Sequence, residues 1–191
     1  MRLSLETANA LVRLANNIAS KDGTRYHLQC VELKKLDDEY LELAATDGHI
    51  AVWVKIKDEA LASTLLKTPY YFHKENANIV KALIKNAIHH VDFIDFKTDV
   101  KFPNMNQFRI TDTHWTETVS PPKITTDIVI DRNFTLGFNI KFMTRIEKAF
   151  APSRSGGVKM TMDTRDKLKP FLITGTNTEL TEEAVIMPMR I

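Results

Sequence analysis

YLELAATDGHIAVWVKI, residues 40–56, reads as a strand, a turn at Asp47-Gly48 and a second strand. Asp-Gly between two such runs is a strong hairpin signal, because glycine accepts the positive φ that tight turns demand. One step upstream, HLQCVELKKL (27–36) has the same strand character and is set off by a turn at Asp37-Asp38. Before these strands, residues 5–20 carry Leu11, Leu14 and Ile18 at the spacing of a buried helical stripe, and Lys21-Asp22-Gly23 stops the helix. After them, DEALASTLLK (58–67) is open between a short helix and an ordered loop. A strand, PYYFH (69–73), then leads to a helix over 75–86 (ENANIVKALIKN) and a strand, HHVDFIDF (89–96).

Lys97 to Lys123 is the least periodic stretch. It holds Pro103, Pro121 and Pro122, with possible strands at QFRIT (107–111) and WTETV (115–119). A domain junction is expected here, dividing the chain into 1–112 and 113–191 with the boundary between 100 and 123. Beyond it follow strands DIVID (127–131) and FTLGF (134–138), a helix over 139–150 (NIKFMTRIEKAF) and a turn at SRSGG (153–157). Strands VKMTM (158–162), PFLIT (170–174) and EAVIMPM (183–189) close the series. The recurring unit is strand, helix, then antiparallel strands, without the alternation that builds parallel sheets, so the class is α+β.

The chain has 191 residues, 43% hydrophobic and 26% charged, enough for a core that needs no disulfide. Its single cysteine, Cys30, reads as a small buried apolar residue, which fits a reducing cytoplasm. The opening MRLSLETANALVRL is broken by Glu6, Thr7 and Asn9, so no signal peptide is expected there, and no apolar run is long enough to span a bilayer. The net charge is only +2, so any affinity for nucleic acid depends on where the charges lie.

On helical wheels the charges separate by sign. Lys141, Arg145 and Lys148 share one side of the helix over 139–150, opposite Met143, Ile146 and Phe150. Lys81 and Lys85 share a face of the helix over 75–86, with Lys74 aligned one turn earlier and Ile79 and Leu83 on the other side. In the first helix Arg13 sits among Asn9, Asn16, Asn17 and Ser20. Any soluble helix shows a charged face to water, but here the cations dominate while the chain is nearly balanced, so its acids belong mostly to strands and loops. Such segregation makes a local positive field able to hold phosphates without reading sequence. The apolar sides of the helices are expected to anchor them to the sheets.

Enzyme signals are weak. His89-His90 with Asp92 and Asp95 invites a metal site, but adjacent strand residues point to opposite faces and the two histidines do not converge. The chain lacks a phosphate-binding P-loop, an HExxH pair and a nucleophile elbow, Ser155-Gly156-Gly157 reads as a hairpin turn, and Cys30 has no activating neighbour in sequence. A non-enzymatic protein without cofactor or metal is expected.

AVIMPMRI (184–191) resembles the terminal strand of bacterial DNA polymerase III β-subunit sliding clamps, and LAATDGHIAVWV (43–54) resembles their A-T-D-G-H hairpin. FTLGFNIKFMTRIEKAF (134–150) is similar to the strand and second helix of the clamp's last domain, with weaker likenesses at MRLSLE and FPNMNQF (102–108). The resemblance implies a DNA-clamp fold, with antiparallel sheets outside and helices lining a central channel. It also implies a processivity factor that encircles duplex DNA and tethers polymerase and clamp-loader peptides. The channel-facing cations would be Arg13, Lys74, Lys81, Lys85, Lys141, Arg145 and Lys148.

The resemblance further implies an apolar peptide pocket where the hairpin meets the terminal strand, built from Thr46, Gly48, His49, Val185, Met187, Pro188, Met189 and Arg190. Met side chains adapt to varied apolar anchors, and Pro188 limits ladder pairing at the edge. Taken alone, the Asp47-Gly48 turn and the two methionines would be ordinary hairpin and packing residues. Pro121 or Pro122 is a further candidate for the pocket wall. Ile50 departs from the family, which carries a basic residue after the histidine, so pocket shape and charge differ. Rings of the family contain twelve inner helices, so the resemblance implies a homo-oligomeric ring, a trimer if DEALASTLLK is a fourth helix and a tetramer otherwise, with a ring of smaller size also open. The alternative is a monomeric clamp-like adaptor that binds the same peptides and encircles nothing.

Overall fold

The computed structural model describes residues 1–110, 139–150, 158–161, 170–175 and 181–187. The hairpin forms as read, with β3 (Tyr40–Thr46) antiparallel to β4 (Ile50–Lys57) and Ala44 opposite Trp53. β2 (Cys30–Lys35) pairs with β3 and β5 (Tyr70–His73). On the other side of β4 lies β9 (Thr181–Ile186), followed by β8 (Phe171–Gly175) and β7 (Val158–Thr161). One seven-stranded antiparallel sheet therefore joins residues from both expected domains, in the order β5-β2-β3-β4-β9-β8-β7. A separate pair joins β1 (Arg2–Ser4) to β6 (His90–Asp92). β6 is shorter than HHVDFIDF promised, because its partner offers only three residues to pair with.

Strand alternation gives the sheet two different faces. Leu41, Leu43 and Ala45 of β3 and Ile50, Val52, Val54 and Ile56 of β4 point to one side, joined by Ala184 and Ile186 of β9. Against them lies α1 (Leu5–Asn17), whose Ala8, Leu11, Leu14 and Ala15 are buried. Ser4 caps α1 by accepting the Thr7 N–H at 3.1 Å. The buried Asp58 accepts Ser4 N–H and the Thr7 hydroxyl, and caps the single-turn α2 (Glu59–Ala62) through Leu61 N–H. That one turn is all that the open stretch 58–67 forms as α-helix.

α3 (Ala77–Asn86) and α4 (Ile140–Ala149) both pack on α1, which lies between them. Flanked on two sides, α1 is buried around most of its circumference, leaving Glu6, Asn9 and Asn16 exposed. On α4 the expected apolar side holds: Ile146 and Phe150 are buried and Met143 packs partly on the core. On α3 it does not. The stripe that reaches the core is Ala77, Val80 and Ile84, while Ile79 and Leu83 are 55% and 40% exposed. The reason is position: α3 ends the helix layer, so its flank away from α1 has no neighbouring helix among the described residues.

The opposite face of the sheet is covered by residues 102–110. Ala44, Ala51, Trp53 and Val185 pack there with Met105, Phe102 and Phe108. QFRIT was open to a strand, but Met105–Gln107 is a tight helical turn capped by Asn104. It brings Met105 and Phe108 to the same side. No helix among the described residues is long and apolar enough to cross a membrane. WTETV, DIVID, FTLGF, the SRSGG turn and both Pro121 and Pro122 lie outside the described residues.

Candidate functional site

The Asp47-Gly48 turn is fixed by its own polar atoms. Asp47 Oδ1 accepts His49 N–H at 2.8 Å and Ile50 N–H at 3.0 Å, and Thr46 Oγ1 donates to Ile50 O while accepting Gly48 N–H. Gly48 has φ +92°, the left-handed conformation that keeps glycine there. Beyond the end of β9, Met187 N–H donates to His49 O at 3.0 Å, extending the β4–β9 pairing to the turn. An apolar pocket opens at this junction, lined by Thr46, Gly48, His49, Ile50, Ala51, Phe108, Val185 and Met187.

Five of the eight expected pocket residues, Thr46, Gly48, His49, Val185 and Met187, thus converge. Pro188, Met189 and Arg190 lie outside the described residues. Only about 10 Å³ is open in the pocket, space for about one water. Ile50, the departure from the family, does line the pocket, and Phe108 and Ala51 join it without a sequence expectation. The spacing of Phe102, Met105 and Phe108 every third residue is the signal that would have placed Phe108 beside Met105 on one side of a turn.

The cationic side chains fall into two groups. Lys81 and Lys85 on α3, and Lys141 and Lys148 on α4, are exposed. A cleft of about 320 Å³ between α1 and α4 is lined by Asn16, Asn17, Lys21, Lys141, Thr144, Arg145 and Lys148, with no acid among them. The other expected cations are engaged inside the chain. Arg13 Nε donates to Ala149 O at 3.1 Å, and its Nη2 is buried without a hydrogen-bond partner among the described residues. Burial lowers the Arg13 pKa, opposed by the charges of Glu182 and Glu6. Lys74 Nζ donates to Ser20 O at 2.8 Å. Arg145 donates to Asn17 O and Ile18 O, and to Asp47.

The remaining candidates for chemistry are quiet. His90 Nε2 lies 4.0 Å from Asp92, which also meets Arg2, and Asp95 accepts from Asn76. Cys30 is fully buried, and desolvation pushes its thiol up to about 11, the opposite of activation.

The chain has the DNA-clamp fold, an antiparallel sheet carrying helices on one face. Solved bacterial sliding clamps share it over the whole chain. The β subunit of the Streptococcus pyogenes DNA polymerase matches with a TM-score of 0.72 and 16% identity, over 100% of this chain and 66% of that one. The DNA polymerase III β chain of Streptococcus pneumoniae matches at 0.73 and 16%, over 100% and 64%. The Helicobacter pylori β clamp bound to a DNA ligase peptide matches at 0.66 and 12%, over 100% and 66%. The likeness is one of fold, and the chain spans 64–66% of the length of these three clamps. No protein-family model and no curated protein matches the sequence.

Proposed function

We propose that the chain is a non-catalytic sliding clamp that encircles duplex DNA without sequence specificity and tethers polymerase or clamp-loader proteins in the cytoplasm. The observation that carries this reading is the apolar pocket at the hairpin, held against the last strand by the Met187–His49 hydrogen bond. The Helicobacter pylori clamp, of the same fold, has been solved with a ligase peptide bound. As it stands the pocket holds about one water, so the apolar anchor of a short peptide would enter by moving the flexible, 44% exposed Met187 side chain away from Val185 and Phe108.

Binding to DNA falls to Lys81, Lys85, Lys141 and Lys148, with Lys21 at the rim of the α1–α4 cleft. Arg13 and Lys74 contribute field rather than direct bonds to phosphate, and Arg145 is paired with Asp47. The clamp is taken as a homo-oligomer of three or four chains, each with clamp-like domains 1–112 and 113–191. Exposed Ile79 and Leu83 on α3 at one end of the helix layer, and Ile140 on α4 at the other, supply apolar surface for a head-to-tail interface that closes a ring.

The test is topological. A ring loaded on nicked circular duplex stays bound at high salt and is lost when the circle is cut. Mass photometry should give three or four times the mass of one chain. Reversing Lys141 and Lys148 should flatten the logarithmic salt dependence of binding, by about 0.9 in slope for each phosphate no longer neutralised. A persistent monomer that still captures a clamp-binding peptide would replace this reading with the adaptor.

A further inference from the structure

We infer that Arg145 is a positioning residue of the peptide pocket: it holds the Asp47 turn in the shape that walls the pocket. The inference rests on the reading of that pocket as a peptide site. Arg145 lines the cationic cleft, yet its guanidinium is committed elsewhere. Nε donates to Asn17 O at 2.6 Å, Nη2 to Ile18 O at 2.9 Å, and Nη1 to Asp47 Oδ2. The first two bonds satisfy carbonyls at the C-terminal end of α1, where a cation is favoured. The third reaches the turn.

From Asp47 the restraint passes through short, direct bonds. The other carboxylate oxygen, Oδ1, accepts the backbone N–H groups of His49 and Ile50, and both residues line the pocket. The His49 carbonyl then accepts Met187 N–H on the far wall. A second interaction runs beside the first: the His49 ring packs on Phe142 of α4, with centroids 5.9 Å apart. α4 therefore grips the turn at two points, one turn of helix apart. Arg145 is 28% exposed and Asp47 12%, so their pairing is sheltered from solvent screening. The guanidinium spreads its donors over Nε, Nη1 and Nη2 and so reaches two carbonyls and a carboxylate that lie apart; a lysine ammonium keeps the charge but carries its donors on one nitrogen.

The experiment uses the full chain with Arg145→Lys, Asp47→Asn, their double, and Lys141→Glu/Lys148→Glu as the contrast. The probe is a fluorescein-labelled DNA ligase peptide of the kind solved on the Helicobacter pylori clamp, read by anisotropy, with DNA binding read by its salt slope. Arg145→Lys should weaken peptide binding about tenfold while leaving the salt slope unchanged. Asp47→Asn keeps the acceptor for the turn and loses the ion pair, so it should cost about the same. The double should be no worse than either single change. The lysine reversals should flatten the salt slope and spare the peptide.

Wild-type peptide affinity in Arg145→Lys, or additive losses in the double, would overturn the inference. If the unaltered chain binds no such peptide, the pocket reading itself falls. The positioning claim is then decided by the ¹³C-methyl resonance of Met187, which should move in both Arg145→Lys and Asp47→Asn and would refute the claim by staying put.

Discussion

Replacing Arg109 should reveal how strongly the segment after the first half of the chain is stapled to the sheet. Its Nη2 donates to Glu42 at 2.8 Å and its Nε to Glu183 at 3.1 Å, joining β3 to β9, while the guanidinium lies 5.2 Å from the Trp53 ring centroid on β4. Burial pulls the Arg109 pKa down, but Glu42 and then Glu183 more than compensate, leaving it raised. In Arg109→Met, Glu42 stays 7% exposed and loses the only ion-pair partner it has among the described residues. Breaking a fully buried pair in this way costs about 3–5 kcal/mol. Arg109 is 32% exposed, so solvent screening reduces that to about 2 kcal/mol. For a chain of this size the melting temperature should fall by roughly 4–8 °C. Glu42→Leu/Arg109→Met removes the stranded charge and should recover most of the loss, which a double-mutant cycle on thermal melts would show. If Arg109→Met melts within about 1 °C of the parent chain, the staple is an exposed pair of no consequence.

Three further outcomes follow from buried groups. Asp58→Ala strands Ser4 N–H, the Thr7 hydroxyl and Leu61 N–H, and should cost about 2–3 kcal/mol by urea denaturation. Cys30, fully buried with its thiol pushed up to about 11, should resist alkylation in the folded chain and react only as fast as the chain opens, measurable by mass shift across a urea series. His73 is buried, and desolvation outweighs Glu75 to hold its pKa below the ordinary 6.5, with Lys97 and Lys74 adding to the depression. The folded state then binds fewer protons than the unfolded one, so stability should drop as pH falls below about 6.5 and level off below the folded pKa. Urea midpoints at roughly pH 5 and pH 8 should differ less in His73→Phe than in the parent chain; an equal difference assigns the pH dependence to other groups.

The sequence makes the hairpin legible because its turn chemistry and strand patterning are local. The same holds for α1 and α4, whose apolar stripes follow a helical period and do reach the core. What it hides is long-range. Nothing near Arg145 announces that Asp47, 98 positions away, will take one of its donors, or that α1 will end within reach of the others. A helical wheel separates the lysines from Ile79 and Leu83, but it cannot tell a buried apolar flank from one at the end of a layer. The pocket was legible in part. Thr46, Gly48, His49, Val185 and Met187 follow from the resemblance of two segments, while Phe108 arrives on a turn whose fold depends on the sheet beneath it.

A chain with a net charge of only +2 can still carry local positive charge where lysines are left out of its ion pairs. On the strands and hairpins, acids find cations close by: Lys35 meets Asp38 at 2.6 Å, Lys57 meets Glu39 and Glu59, and Arg109 meets Glu42 and Glu183. None of the ion pairs among the described residues includes Lys81, Lys85, Lys141 or Lys148. Those pairings leave the helix lysines, with exposed Glu147 of α4 beside them, among the charges that an approaching polyanion feels within a Debye length of about 10 Å at moderate salt. Their ammonium groups are compact point charges on flexible stems, without the planar fork by which arginine meets a phosphate bidentately. Arg145 is not among these unpaired charges. Held by Asp47, it is half of a neutral pair, and the positioning role inferred for it acts through the turn.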